Sequence, residues 1–306
     1  MTPSERNGLM DRRQFLDFSG RLLAVAGLTG ALNVANAGDA SACCAGPSLK
    51  VALISDTHVP TDLEWRQAQN QQSPVEHLKE VVRQVAESGC EDCIVTGDLA
   101  RLTGDLGDYK NWQTLMSPIF AKMPMHVAMG NHDLLKNYYQ VLGEPKEKIA
   151  GIKDKHVLAI EKAGLRFVVL DSHVESNISL GLLGKVQRQW LERYLEGEDL
   201  RPVFVFLHHA LSDSDTDLLD TDRLVNILLP KRQVKALFFG HSHCYSHTKI
   251  EDLDVVNLPA TGYSFAPEQP IGWMEGRFTA KGADLVLHAI DGNKSLDGQR
   301  LAVAWR

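Results

Sequence analysis

The chain sorts into short apolar runs separated by amphipathic stretches, and the period of each block predicts its conformation. Residues 49–54, LKVALI, are apolar, bounded by Pro47 and by a polar cluster at 55–58, which is the pattern of a buried strand. Residues 75–88 place Val75, Leu78, Val82 and Val85 at helical spacing and stop at Gly89. The same reading gives strands at 93–96, 125–129, 166–171, 203–207 and 236–239, with helices near 108–121, 185–195 and 221–229. Repeated βα units of this kind predict an α/β fold, a sheet covered by helices on its faces. Past residue 247 the helical period is lost, and short extended runs predict a closing set of antiparallel strands. No internal repeat, low-complexity tract or Pro/Gly linker divides residues 49–306.

The first 37 residues follow a different pattern. Arg12 and Arg13 open the run RRQFL, an apolar stretch follows from Leu22 to Ala37, and the segment closes on Ala35-Asn36-Ala37. These features predict a twin-arginine export signal with an A-x-A cleavage site, although Asp11 and Asp17 are unusual flanks. The apolar stretch is shorter than the ~20 residues a spanning helix needs, so no stable membrane span is expected in the mature chain. Residues 38–48 then form a linker and 49–306 one domain, exported through the twin-arginine translocase to the periplasm or beyond.

Composition narrows the function. With 44% hydrophobic and 23% charged residues over 306 positions, the chain has the makeup of an ordinary globular protein able to bury a large core. Its formal charge is −7, the wrong sign for gripping long nucleic acid by phosphate neutralisation. Without residues 1–37, 28 basic residues face 36 acidic ones, so the balance stays acidic. Five cysteines leave an odd one in an oxidising compartment. Cys90 and Cys93 form a lone CxxC, read as a structural thiol pair or local disulfide rather than half a zinc knuckle, and the residues before Cys43 lack the leucine of a lipoprotein site.

The chemistry gathers where the predicted strands end. Asp56, Thr57 and His58 follow the first strand, Gly97 and Asp98 the second, and Gly130, Asn131, His132 and Asp133 the third. His208 and His209 end the strand at 203–207, and Gly240, His241, Ser242 and His243 end the next. Ligands of open α/β sheets bind outside the carboxyl ends of strands, so these residues converge on one rim. Taken singly, each cluster is more often a solvated loop, a turn or a pair of surface histidines; their joint occurrence in order, each directly after an apolar strand, reverses the balance. Mixed carboxylate and imidazole donors suit Mn, Fe, Zn or Co better than Ca, and a close cation pair requires a bridging carboxylate.

The ordered set Asp56-Thr57-His58, Gly97-Asp98, Gly130-Asn131-His132-Asp133, His208 and Gly240-His241-Ser242-His243 resembles the signature of the calcineurin-like metallophosphoesterase superfamily across residues 50 to about 265. The resemblance implies a four-layer αββα sandwich, two mixed β-sheets flanked by helices, with a dinuclear metal site at the strand ends. It implies Asp56, His58 and His243 on one metal, Asn131, His208 and His241 on the other, and Asp98 bridging. His132 would face the substrate as general acid, with Asp133 behind it to orient the ring. The implied reaction is hydrolysis of a small phosphate ester by a hydroxide held between two metal ions. Arg101 stands where purple acid phosphatases carry a tyrosine, which disfavours the ferric variety. The segment FVVLDSHVES and the helix KVQRQWLERYL are most similar to class III cyclic nucleotide phosphodiesterases, although an export signal is unusual for that subfamily. A broad phosphomonoesterase or another phosphodiesterase is the alternative, and a non-catalytic phosphate-ester binder a remote one. A nucleotide-binding redox domain is excluded, since no G-x-G-x-x-G turn follows the first strand.

Overall fold

The computed structural model describes residues 47–67 and 72–306; the expected export signal, most of the expected linker, Cys43 and Cys44 lie outside these residues. Twelve strands form two six-stranded sheets among the described residues. The first sheet runs, in spatial order, β12 (Arg300–Ala304), β11 (Gly282–Gly292), β10 (Pro270–Thr279), β1 (Ser48–Ile54), β2 (Asp92–Val95) and β3 (Met125–Val127). The second runs β4 (Leu158–Lys162), β5 (Leu165–Val169), β6 (Val203–Phe206), β7 (Val234–Phe239), β9 (Leu253–Asn257) and β8 (Ser246–Ile250). Both are mixed: β1, β2 and β3 are parallel while β10 meets β1 antiparallel, and β5, β6, β7 and β9 are parallel while β4 and β8 are not.

The sheets face each other, and the period-2 alternation of strand side chains builds three cores. Val51 and Leu53 of β1 join Phe204 and Phe206 of β6, Phe238 of β7 and Phe278 of β10 between the sheets. Ala52 and Ile54 point the other way, against helices α1 (Pro74–Glu87), α2 (Leu106–Phe120) and α3 (Leu135–Leu142). Val203 and Val205 face α4 (Gly184–Glu196) and α5 (Thr221–Leu228) in the same manner. Burial on both faces explains why these strands are continuous apolar runs, and each buried Phe contributes about 1.5–3 kcal/mol. The result is the αββα sandwich expected.

Two details differ from the sequence expectation. The residues past 247 do not form one antiparallel set: β8 and β9 extend the second sheet, with β9 parallel to β7, while β10, β11 and β12 extend the first. Within 134–156 the helix α3 is present although the pattern did not predict it. It has eight residues, no side-chain cap and only Tyr138 buried, too little apolar periodicity to read. Cys90, Cys93 and Cys244 are free thiols, so the CxxC is a buried thiol pair, with both thiols pushed up by burial.

Candidate metal centre

The carboxyl ends of β1, β2 and β3 in one sheet and of β6 and β7 in the other meet at one edge of the sandwich. Each strand there gives way to a tight turn that carries its polar residues. Five of the nine non-glycine residues with positive φ among the described residues are candidate ligands: Asp56 at 51°, His58 at 45°, Asp98 at 51°, His241 at 70° and His243 at 53°. Left-handed backbone at non-glycine residues is costly and gathers where the surroundings over-determine it. Here the turns brace one another, with Asp56 N–H donating to Gly97 O at 3.1 Å, His58 N–H to Asp98 O at 3.0 Å and His132 N–H to the Asp98 carboxylate at 2.8 Å. Close approach requires the glycines in these motifs. A Cβ on Gly130 would lie 2.2 Å from Asp98 Oδ1, and one on Gly240 would lie 2.4 Å from Asp56 Oδ2.

Three overlapping groups of donors result. Asp56, His58 and His243 form one, Asp98, His208 and His241 another, and His58, Asp98 and His132 a third that shares its first two members with the others, the ligand atoms within each lying within 4.8 Å of one another. Asn131 Oδ1 joins the second group, 3.1 Å from His208 Nε2 and 2.9 Å from His241 Nδ1. Asp98 stands between them, its Oδ2 3.7 Å from His58 Nε2 and 3.4 Å from His208 Nε2. All seven are buried except His241, which is partly so.

The protonation pattern fits metal ions. Each ligand imidazole directs its outer nitrogen at a backbone carbonyl: His243 at Tyr263 O (2.6 Å), His208 at Thr96 O (2.8 Å), His241 at Thr216 O (3.0 Å) and His58, more loosely, at Arg101 O (3.4 Å). A carbonyl only accepts, so the outer nitrogen carries the hydrogen and, wherever the ring is neutral, the inner one presents a lone pair. The inner nitrogens therefore face each other as acceptors, His58 Nε2 and His243 Nε2 at 3.0 Å, with carboxylates and an amide oxygen around them. Backbone N–H groups of His132 and His241 meet one carboxylate each, but the facing imidazole nitrogens have no donor between them, and such packing is stable only around positive charge. Burial pushes His58 down to about 3 and lowers His243 and His241, leaving them neutral. His208 is pulled oppositely: burial works against its charge, but Asp98 outweighs this and raises it to about 9. A proton there serves Asp98 as a cation would.

His132 completes the third group with His58 and Asp98 but lies toward the open side of the site. Its Nδ1 donates to Leu102 O at 2.9 Å, and its half-exposed ring turns Nε2 toward Asp98 Oδ2, 4.0 Å away. Asp133 is not behind this ring, contrary to the sequence expectation. Its buried carboxylate accepts from Gly130 N–H (2.9 Å), Leu99 N–H (3.2 Å), Ala100 N–H (3.2 Å) and Tyr109 O–H (3.1 Å), tying the loop after β2 to the loop after β3. The carbonyl of Leu102 does the orienting instead. Of the adjacent histidines, His208 enters the cluster, while His209 turns away to Ser172 Oγ at 2.7 Å beneath Gly181. His77, His126 and His288 sit elsewhere, against Gly262 O, Asp92 and the Trp273 ring.

Several contributors had no sequence signal. Tyr109 on α2 bridges Asp133 and the Leu134 N–H, and Trp112 Nε1 donates to Thr57 Oγ1 at 3.1 Å. The carbonyls of Thr96, Leu102, Thr216 and Tyr263 act through the backbone, which residue type cannot reveal.

Fold and site together define a dinuclear-type phosphoesterase, and residues 49–245 match the calcineurin-like phosphoesterase model. The chain belongs to this family and is a metal-dependent phosphoric ester hydrolase. It is similar, at 29% identity over 246 residues (75% of this chain, 85% of the relative), to the 3′,5′-cyclic adenosine monophosphate phosphodiesterase CpdA of Haemophilus influenzae. It is 28% identical over 250 residues to a cAMP/cGMP dual specificity phosphodiesterase of Mycobacterium tuberculosis, covering 78% of this chain and 76% of that one. A solved dimetal phosphatase from Danio rerio shares the fold with a TM-score of 0.67 at 15% identity, over 85% of this chain and all of that one. No helix among the described residues is long and apolar enough to cross a membrane.

Proposed function

We propose that this protein hydrolyses phosphodiesters, 3′,5′-cyclic nucleotides first among them, at a two-metal centre, with His132 as general acid. The observation that carries this is the pair of donor groups joined by Asp98, with one imidazole, His132, held beside them by a bond to the backbone. Cations bound by Asp56, His58 and His243 and by Asn131, His208 and His241 would supply Lewis acidity toward the phosphoryl oxygens and a water acidic enough to ionise near neutral pH; manganese, iron, zinc and cobalt all suit the donors. The water oxygen forms the new P–O bond in line with the ester P–O bond that breaks. His132, bound through Nδ1–H to Leu102, delivers the proton on Nε2 to the departing alkoxide. Solvent reaches the exposed edge of the ring and replaces that proton. The phosphodiesterase names of the two relatives support cyclic nucleotides as the substrate class.

Export through the twin-arginine translocase, read from Arg12 and Arg13, belongs to the same proposal and would direct the activity to esters outside the cytoplasm. The test is a panel assay of the manganese-loaded chain from residue 38 onward against cyclic nucleotides, bis(4-nitrophenyl) phosphate and 4-nitrophenyl phosphate. Faster turnover of the diesters than of the monoester supports the proposal; monoester hydrolysis alone contradicts it.

A further inference from the structure

One side of the metal centre is lined by aromatic groups that the hydrolytic steps do not use. Tyr263 lies with its ring centroid 4.8 Å from both the His58 and the His243 rings. Phe265 stacks on His243 at 4.4 Å and 27°, and Trp65 approaches Tyr263 at 6.3 Å. The Arg101 guanidinium caps the arc, 4.7 Å over the Trp65 ring.

The Tyr263 end of the arc is tied to the metal-site turns. Thr261 N–H donates to Ser55 O and Gly262 N–H to Asp56 O, each at 2.8 Å, and Tyr263 O accepts from His243. The segment carrying Tyr263 and Phe265 is therefore tied to the Asp56 turn.

We infer that the exposed face of Phe265, backed by the buried Tyr263 and flanked by Trp65 and Arg101, forms a subsite for a planar aromatic group of the substrate, a nucleobase, beside the phosphate. This rests on the phosphodiesterase reading and narrows it. Phe265 is 61% exposed although one ring face is against His243. Shielding a buried imidazole does not require so much apolar surface in water, whereas stacking a base does. Arg101 selects among aromatic-binding chemistries: its positive charge repels a quaternary ammonium, which aromatic surfaces otherwise bind well, and favours a π-system attached to an anion. The general acid lies on the same side, since His132 is bonded to Leu102, the neighbour of Arg101, and its ring is 5.4 Å from that of His58. A base in the arc therefore sits on the nucleoside whose ester oxygen His132 protonates as its P–O bond breaks and the cyclic phosphate opens.

The test compares adenosine 3′,5′-cyclic phosphate with the matching ribose 3′,5′-cyclic phosphate that lacks the base, using the manganese-loaded enzyme. The wild type should favour the base-bearing ester in kcat/KM, mainly through KM. Phe265→Ala should shrink that preference about tenfold, the scale of one base–aromatic stack, and Phe265→Tyr should restore it. Adenosine monophosphate binding, followed by calorimetry, should weaken by the same factor in Phe265→Ala. An unchanged preference in Phe265→Ala, or a wild type indifferent to the base, overturns the subsite and leaves the phosphodiesterase reading standing. If the wild type cleaves neither cyclic ester, the cyclic-nucleotide part of that reading fails, and monophosphate binding decides the subsite alone: tenfold weakening upholds it and no change overturns it.

Discussion

Replacing Asp133 by Asn separates two roles that the sequence merged. If Asp133 oriented the general acid, the variant would keep its stability and lose activity mainly on esters with poor leaving groups. The structure instead makes it the clamp between the loop that carries Asp98 and the loop that carries Asn131. Oδ1 takes the Ala100 and Tyr109 hydrogens, Oδ2 takes the Gly130 hydrogen, and the Leu99 hydrogen is shared between the two oxygens. An amide has one acceptor oxygen, so its NH2 must face either Gly130 N–H or the Ala100 and Tyr109 donors, while the oxygen keeps the Leu99 hydrogen in both placements. The milder placement loses one hydrogen bond to a charged acceptor, about 1.5–3 kcal/mol, and strands a buried N–H, about 1–3 kcal/mol. The expected destabilisation is about 3–5 kcal/mol, a fall in Tm of roughly 10 °C for a domain of this size. Burial and then Asp98 push Asp133 up to about 6, so the comparison belongs at pH 8, where the wild-type carboxylate is ionised. Thermal unfolding of metal-free wild type and Asp133→Asn, followed by manganese titration of each, reads both consequences: a lower Tm and weaker metal binding. An unchanged Tm, with activity lost on alkyl esters and kept on phenyl esters, would refute the clamp and reinstate the orienting role.

Three further outcomes are expected. His132→Ala should retain both metals and lose about 10²–10⁴-fold in kcat/KM on alkyl or ribosyl esters, with little loss on 4-nitrophenyl esters; an equal loss on both classes, or loss of one metal, would move His132 into the coordination shell. His156, buried beside Tyr138 and Tyr139, is pushed down to about 4 by burial. Its unfolded form binds a proton from about pH 6.5 downward, so the stability it supports is complete above that pH and declines toward pH 4, by up to about 3 kcal/mol. Denaturation of His156→Gln at pH 7.5 and 4.5 should show a smaller acid loss than the wild type, and an equal loss contradicts the assignment. Lys at both Arg12 and Arg13 should stop export of a folded reporter fused to residues 1–40, and export that persists without the twin-arginine translocase contradicts the signal.

Much of this architecture is legible because burial on both faces of a central strand forces apolar runs such as LKVALI and VFVFL, and a ligand turn must interrupt them at once. Asp56, Asp98, Asn131, His208 and His241 can be read in this way, since each follows its strand directly. What could not be read acts at long range or through the backbone. Asp133 is adjacent to His132 in sequence, yet its side chain points to Gly130, Leu99 and Tyr109, and neighbouring positions in a tight turn need not share a direction. Tyr109 is one aromatic residue on a helix with no special spacing. The aromatic arc joins residues 65, 101, 263 and 265, whose proximity exists only in the folded sandwich. The division of the last five strands between two sheets is equally non-local, because an extended run does not encode which edge it joins.

The central claim is a pair of metal ions shared through Asp98. Metal-free protein titrated with Mn²⁺, with bound metal and hydrolysis of bis(4-nitrophenyl) phosphate followed in the same samples, tests it most directly. Two ions per chain are predicted, with activity rising as they fill and with both metal uptake and turnover sharply reduced in Asp98→Ala. Full activity in the stripped protein, or an Asp98→Ala variant that holds two ions and turns over normally, would contradict it.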